Sequence, residues 1–115
     1  HGANLEENCM IGMNAVVMDD SHIGKESIVG AMSFIRSETH IPPRSLVVGN
    51  PGKIIKQVSD DMIAWKTAGT HLYQQLPADC HQSLEEVKPL TEIPDDRPEQ
   101  EDFYQTLASF KRNKT

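Results

Sequence analysis

Cut into sixes, the stretch from Leu5 to Gly52 reads LEENCM, IGMNAV, VMDDSH, IGKESI, VGAMSF, IRSETH, IPPRSL, VVGNPG. Every block opens on an aliphatic residue: Leu5, Ile11, Val17, Ile23, Val29, Ile35, Ile41 and Val47. These 48 positions hold 12 Val, Ile or Leu. Eight consecutive hits in one phase then arise by chance about once in ten thousand trials, with all six phases allowed. A second column runs four residues behind the first. Cys9, Ala15, Ser21, Ser27, Ser33, Thr39 and Ser45 are all small, and Pro51 ends the series. A helix repeats about every 3.6 residues and a strand about every two, and neither gives a strict six. A short strand followed by a corner does. The aliphatic then points inward and the small residue fits the narrow interior at the corner. Gly12, Gly24 and Gly30 each follow an aliphatic and are expected to relieve the backbone where it turns.

This pattern resembles the hexapeptide-repeat family of left-handed parallel β-helices. The resemblance implies three hexads per triangular coil, with coils stacked as parallel strands about 4.8 Å apart. The expected fold is mainly β: a truncated left-handed parallel β-helix over residues 1–52, a C-terminal α-helical extension over 53–88, and an acidic, Pro-rich, flexible tail over 89–115. The eight hexads fall short of three coils, and the repeat is already running at His1. The chain is therefore expected to be the C-terminal part of a longer protein, with an apolar core and strand edges open upstream. Gly49-Asn50-Pro51-Gly52-Lys53 resembles the exit of this family, with Gly where Ala is usual at position 52. Its expected role is the last corner; in some acyltransferases of the family this segment also lines the coenzyme A site.

Beyond the exit, Ile54 and Ile55 are expected to lead into a helix. Ser59 is a good N-cap, and Asp60 and Asp61 suit the positive end of a helix. Met62, Trp65, Gly69, Leu72 and Leu76 share one face, and Gly69 predicts close packing against another backbone. Pro77 either kinks this helix or starts a second, and Cys80, Leu84 and Val87 extend the apolar stripe. This helix is expected to pack along the β-helix or on a neighbouring subunit. From Lys88 on, Pro89, Pro94 and Pro98 alternate with acidic residues, the composition of a solvated tail. A short helix from Asp102 to Phe110, presenting Phe103, Leu107 and Phe110, is expected there, with Lys111–Thr115 frayed.

Composition removes several function classes. The 115 residues carry 11 Lys+Arg against 17 Asp+Glu, a formal charge of -6, which opposes an electrostatic grip on nucleic acid or on an anionic membrane. No segment has the apolar length of a membrane span. Two cysteines, Cys9 and Cys80, make no disulfide framework, so the expected compartment is the cytoplasm.

Further residues narrow the resemblance. His1-Gly2, Ile11-Gly12-Met13-Asn14-Ala15-Val16-Val17-Met18-Asp19, Ile23-Gly24-Lys25-Glu26-Ser27-Ile28-Val29 and Ala31-Met32-Ser33-Phe34 look like the γ-carbonic-anhydrase-like branch of phenylacetic acid degradation and carnitine operon proteins. Ser59-Asp60-Asp61, Ala64-Trp65-Lys66, Gly69-Thr70, Tyr73-Gln74 and Pro89-Leu90 fit its helical extension. The resemblance implies a homotrimer that holds zinc, or another divalent metal, between subunits on three histidines. His1 matches one metal ligand of that set. Asn14 matches an amide near the site that orients a metal-bound water or a substrate carbonyl; its alternative role is a corner residue tolerant of unusual backbone angles.

Other polar residues have simpler readings. His22 and His40 are one coil apart and are expected to stack on the outer surface, as a solvated ladder, a subunit contact or a metal-binding pair. Cys9 is expected to be a core thiol. Glu6, Glu7 and Asp19 are secondary candidates for a proton acceptor near His1, and His71 and His81 are expected to be exposed. The main functional expectation is a zinc-dependent hydrolase of coenzyme A thioesters in phenylacetate catabolism, with metal-bound hydroxide as nucleophile. The alternatives are a hexapeptide-repeat acyltransferase and a non-catalytic trimeric accessory protein of a carnitine or coenzyme A pathway.

Overall fold

In each hexad the aliphatic and the residue before it form a strand, and the other four turn a corner. A computed structural model, which describes residues 1–97 and 106–113, places the strands at β1 (Asn4–Leu5), β2 (Met10–Ile11), β3 (Val16–Val17), β4 (His22–Ile23), β5 (Ile28–Val29), β6 (Phe34–Ile35), β7 (His40–Ile41) and β8 (Ser45–Val48). They pair in parallel as three sheets, β1-β4-β7, β2-β5-β8 and β3-β6. Leu5 lies against Ile23 and Ile23 against Ile41, Ile11 against Val29 and Val29 against Val47, and Val17 against Ile35. This register of three hexads per coil gives a three-sided unit.

The aliphatic column forms its core. Ile23, Val29, Ile35, Ile41 and Val47 are at most 4% exposed and make one cluster, with Cys9, Ile11, Ala15 and Val17 packed against it. Leu5, in the first coil, is 49% exposed. The small column has a polar reason as well as a steric one. Ser21 Oγ donates to Met18 O at 2.6 Å, and Ser27 Oγ and Ser45 Oγ donate to Pro42 O at 3.0 and 2.8 Å. A buried hydroxyl costs little when it is bonded, and these hydroxyls bond corner carbonyls.

The corners differ from the sequence expectation. The left-handed backbone falls three residues after each of the first seven aliphatics, at Asn8, Asn14, Asp20, Glu26, Met32, Glu38 and Arg44, with φ between 54 and 60°. Asn and Asp adopt this conformation readily, whereas elsewhere it costs about 1–2 kcal/mol per residue. Gly12 and Gly24 serve another purpose. A Cβ at either would stand 2.4 Å from a backbone nitrogen of the next coil, Ala31 N or Pro43 N. These glycines permit close stacking of coils; they do not supply the turn.

The exit also differs. Lys53–Gln57 is a strand, β9, antiparallel to β8, with Ile54 against Val47. Gly49, at φ 97°, and the turn through Pro51 and Gly52 fold the chain back, so Ile54 and Ile55 belong to a strand and not to a helix approach. A Cβ at Gly52 would meet Ile35 Cδ1 at 2.7 Å and Phe34 O at 3.1 Å, so the exit packs closely on the coil beneath it.

Helix α1 (Asp60–Ser83) follows and passes through Pro77 without ending. Its first turns dock on the corner column Asn8, Glu26, Arg44. Ser59 Oγ accepts from Met62 N at 3.3 Å, and the Arg44 guanidinium pairs with Asp60. Lys66 Nζ donates to Asn8 O at 2.8 Å and to Asn8 Oδ1, and Asn8 Nδ2 donates to Thr67 Oγ1 at 3.0 Å. Six helical residues rise about 9 Å, and two coils rise about 9.6 Å. Asp60 therefore meets the Arg44 coil and Lys66 the Asn8 coil. Lys66 is 6% exposed, and its burial holds the amine below the usual lysine range, against the opposing pull of Cys9 and Glu26.

The chain divides into two compact units, His1–Thr67 and Ala68–Thr115. In the second, α1 ends at Ser83, so Leu84 and Val87 lie beyond the helix and are exposed. A Cβ at Gly69 would meet nothing within 4 Å, contrary to the expected close packing there. A second helix, α2 (Leu107–Arg112), is capped by Thr106, whose Oγ1 accepts from Ser109 N. It takes in Lys111 and Arg112, expected to be frayed. The expected helix start at Asp102, with Phe103, Pro98, Lys114 and Thr115, lies outside the described residues.

Candidate functional site on the β3-β6 face

The β3-β6 sheet lies between two corners, and these carry the two residues singled out by resemblance. The β3–β4 corner stacks Gly2 over Asp20 and Asp20 over Glu38: Asp20 N donates to His1 O at 3.0 Å and Glu38 N to Asp19 O at 2.9 Å. Gly2 has φ 67°, and a Cβ there would overlap the Asp20 carboxylate at 2.3 Å. Glycine at position 2 suits its left-handed backbone and leaves room for the Asp20 carboxylate. The His1 side chain is fully exposed.

Asn14 stands at the other corner, between β2 and β3, with φ 55°. Met32 N donates to Met13 O at 3.0 Å in the same stack. Met13 and Met32 are largely exposed. Asn14 therefore fills the corner role read from its residue type, and no contact within one chain joins it to His1.

At the first of these corners a shallow depression is lined by Met18, Phe34, Arg36, Ser37, Glu38 and Thr39. The sequence reading missed it, because stacking of the coils creates it by pairing Met18 with Arg36 one coil later. The available signal was the outward position just before each aliphatic, where Val16 and Phe34 are neighbours. An apolar floor, a guanidinium, a carboxylate and two hydroxyls suit a ligand with an extended, partly apolar arm and an anionic end.

The secondary candidates are engaged elsewhere. Glu6 Oε1 lies 2.9 Å from His22 Nε2 and Glu6 Oε2 accepts from Lys25 N at 2.7 Å, while Glu7 pairs with Lys25 Nζ at 2.8 Å. The Lys25 amide and His22 hold the Glu6 carboxyl below its ordinary range. Cys9 donates to Gly24 O at 3.2 Å, and burial pushes its thiol up, as befits a core thiol. His71 and His81 are exposed. Among the described residues no three His, Cys, Asp or Glu side chains are arranged to hold a metal ion. His1 alone does not make a zinc site, which takes three or four protein ligands; the metal implied by the resemblance is shared between subunits. No helix of the described residues is long and apolar enough to cross a membrane.

Eight inward aliphatics, parallel coils and the turned exit define a hexapeptide-repeat protein, and residues 2–37 match the family model for the bacterial transferase hexapeptide, six repeats. Over those residues the chain is similar to the hexapeptide-repeat family. Within it, the chain is similar to carnitine operon protein CaiE: 42% identical over 98 residues to the Salmonella agona protein, and equally to that of Escherichia coli K12, covering 85% of this chain and 50% of each relative. The chain thus spans about half the length of these curated relatives. Among solved structures it is similar to the BC4754 gene product of Bacillus cereus, a candidate acetyltransferase (TM-score 0.68, 25% identity, 74% of this chain and 49% of that one). A hexapeptide transferase family protein from Anaplasma phagocytophilum shares the fold (TM-score 0.65, 23% identity, 69% and 48% covered).

Proposed function

We propose that this chain is part of an acyltransferase that draws its acyl group from a coenzyme A thioester. The observation that carries this reading is the open depression on the β3-β6 face, whose lining includes Met18, Phe34, Arg36 and Glu38. The apolar residues suit the pantetheine arm, and the guanidinium suits a phosphate. The match to a transferase repeat model and the similarity to a candidate acetyltransferase support transfer over hydrolysis.

In the reaction, a hydroxyl or amine of the acceptor attacks the thioester carbonyl. A C–O or C–N bond forms, the C–S bond breaks, and the acceptor's proton passes through a base to the departing thiolate. His1 is the candidate base. We infer further that the coils wind left-handed and that the protein is a homotrimer, in which the His1 corner of one copy meets the Asn14 corner of the next. The same corner would supply one ligand in a zinc hydrolase; no step here runs through a metal.

Calorimetric titration of coenzyme A into the protein that carries this chain tests the proposal. Arg36→Glu is expected to weaken binding at least tenfold, and thiol release from acetyl coenzyme A is expected to require an acceptor amine or alcohol. Unchanged affinity in Arg36→Glu would overturn the assigned groove. Thiol release to water alone, with zinc retained in stoichiometric amount, would overturn transfer in favour of hydrolysis.

A further inference from the structure

The aliphatic column runs out at β9, on an open sheet edge. In the sheet β2-β5-β8-β9, β9 is the edge strand, and among the described residues no strand pairs with its outer side. Ile54 lies against Val47 and extends the inward row Ile11, Val29, Val47 by one layer. Val47, which β9 covers, is 0% exposed; Ile54 is 50% exposed. Lys53 stands beside Val48 and Lys56 beside Leu46, the two β8 positions that alternate with buried Ser45 and Val47 and so face outward. An unpaired edge is a template for a further strand. The two lysines oppose pairing with a second β9, where like charges would meet, and favour an acidic strand.

The chain itself carries a segment of that character. After α1 ends at Ser83, residues 84–90 form neither helix nor turn. Leu84, Val87, Leu90 and Ile93 are each more than three-quarters exposed, and Glu85, Glu86 and Glu92 outnumber Lys88 between them. We propose that residues 84–93 of a second copy add to the outer edge of β9, laying an aliphatic over Ile54 and setting glutamates beside Lys53 and Lys56. Main-chain hydrogen bonds along the open edge supply affinity, and the opposite charges select the partner. Pro89 has no N–H to give, and takes a position whose nitrogen faces away from β9. The course of α1 favours a second copy over the same chain. Between Asp60 and Lys66 it descends two coils, from Arg44 to Asn8, so within the coiled unit it leads away from β9. The contact joins two different patches and is therefore heterologous, the kind that builds rings. It does not involve the groove of the proposed reaction.

The test mixes two batches of the full chain, one labelled only at Ile methyls and the other only at Leu methyls, and lets the copies exchange. A nuclear Overhauser contact between Ile54 and Leu84 or Leu90 then arises only between copies, and it is expected. Amide exchange over Lys53–Gln57 is expected to be slow in concentrated solution and to quicken on dilution. Lys53→Glu with Lys56→Glu, and separately Glu85→Lys with Glu86→Lys, are each expected to raise the concentration needed for half protection by about tenfold or more. All four substitutions in one chain are expected to restore it. These changes touch exposed side chains, and a retained Ile23–Ile41 methyl contact shows that the coil stays folded. A contact seen in chains carrying both labels but absent from the mixture would assign the edge to the chain's own segment and overturn the proposal. Absence of the contact in both samples, or no recovery in the four-residue variant, would overturn it as well.

Discussion

Ile23→Ala is expected to destabilise the coiled unit by about 2–5 kcal/mol, the range for truncating a fully buried aliphatic. Ile23 is 0% exposed and stands mid-column between Leu5 and Ile41, packed with Val29, Ile35 and Val47. Its neighbours cannot collapse into the vacated space, because each is held by a strand whose spacing the ladder fixes. Leu5→Ala, in the half-exposed first coil, removes a similar side chain and is expected to cost less than half as much. Denaturant titration of both variants measures the difference. Equal losses would mean that the two positions do not belong to one graded column.

Gly24→Ala is expected to be as damaging for a reason unrelated to hydrophobic burial. The added methyl would stand 2.4 Å from Pro43 N, 2.7 Å from Pro42 C and 2.8 Å from Ile41 O. All three atoms are backbone, so no rotamer change makes room, and the coils must separate locally. Overpacking of this kind costs about 1–3 kcal/mol or more, and loss of the tight stacking places Gly24→Ala at the upper end. Gly69→Ala is the internal control. That site is helical and open, and alanine there is expected to stabilise the helix by about 0.8–1 kcal/mol. Opposite shifts in the unfolding midpoints of the two variants check the pair. A destabilising Gly69→Ala would reveal a neighbouring chain against that helix face.

The sequence shows the coil plainly and the corners poorly, for physical reasons. A strict period of six survives because one side chain per strand must reach a shared axis, so Ile23, Val29 and Ile35 have no freedom to drift. The left-handed residues carry no such signal. Glu26, Met32 and Arg44 adopt a conformation that their side chains disfavour, and the ladder above and below imposes it. Ile54 and Ile55 were ambiguous because two adjacent aliphatics suit a strand or a helix approach equally well; the fold-back at Gly49 decided for the strand. Lys66 reads as a solvated helix residue. It is buried because the left-handed corner at Asn8 turns a carbonyl and a side-chain oxygen toward the helix. Of the candidate site, His1 and Asn14 were visible through family resemblance. The groove of Met18, Phe34 and Arg36 was not, since it forms from residues one coil apart.

Nuclear Overhauser contacts among methyl groups test the three-sided coil most directly. With Ile and Val methyls labelled, Ile23 is expected to contact Ile41, and Val29 to contact Val47, across adjacent coils. Ile23, Val29 and Ile35 are expected to contact one another inside a single coil. Absence of the Val29–Val47 contact, or a pattern in which Ile23 meets a residue other than the one eighteen positions on, would contradict the coil and the groove built on it.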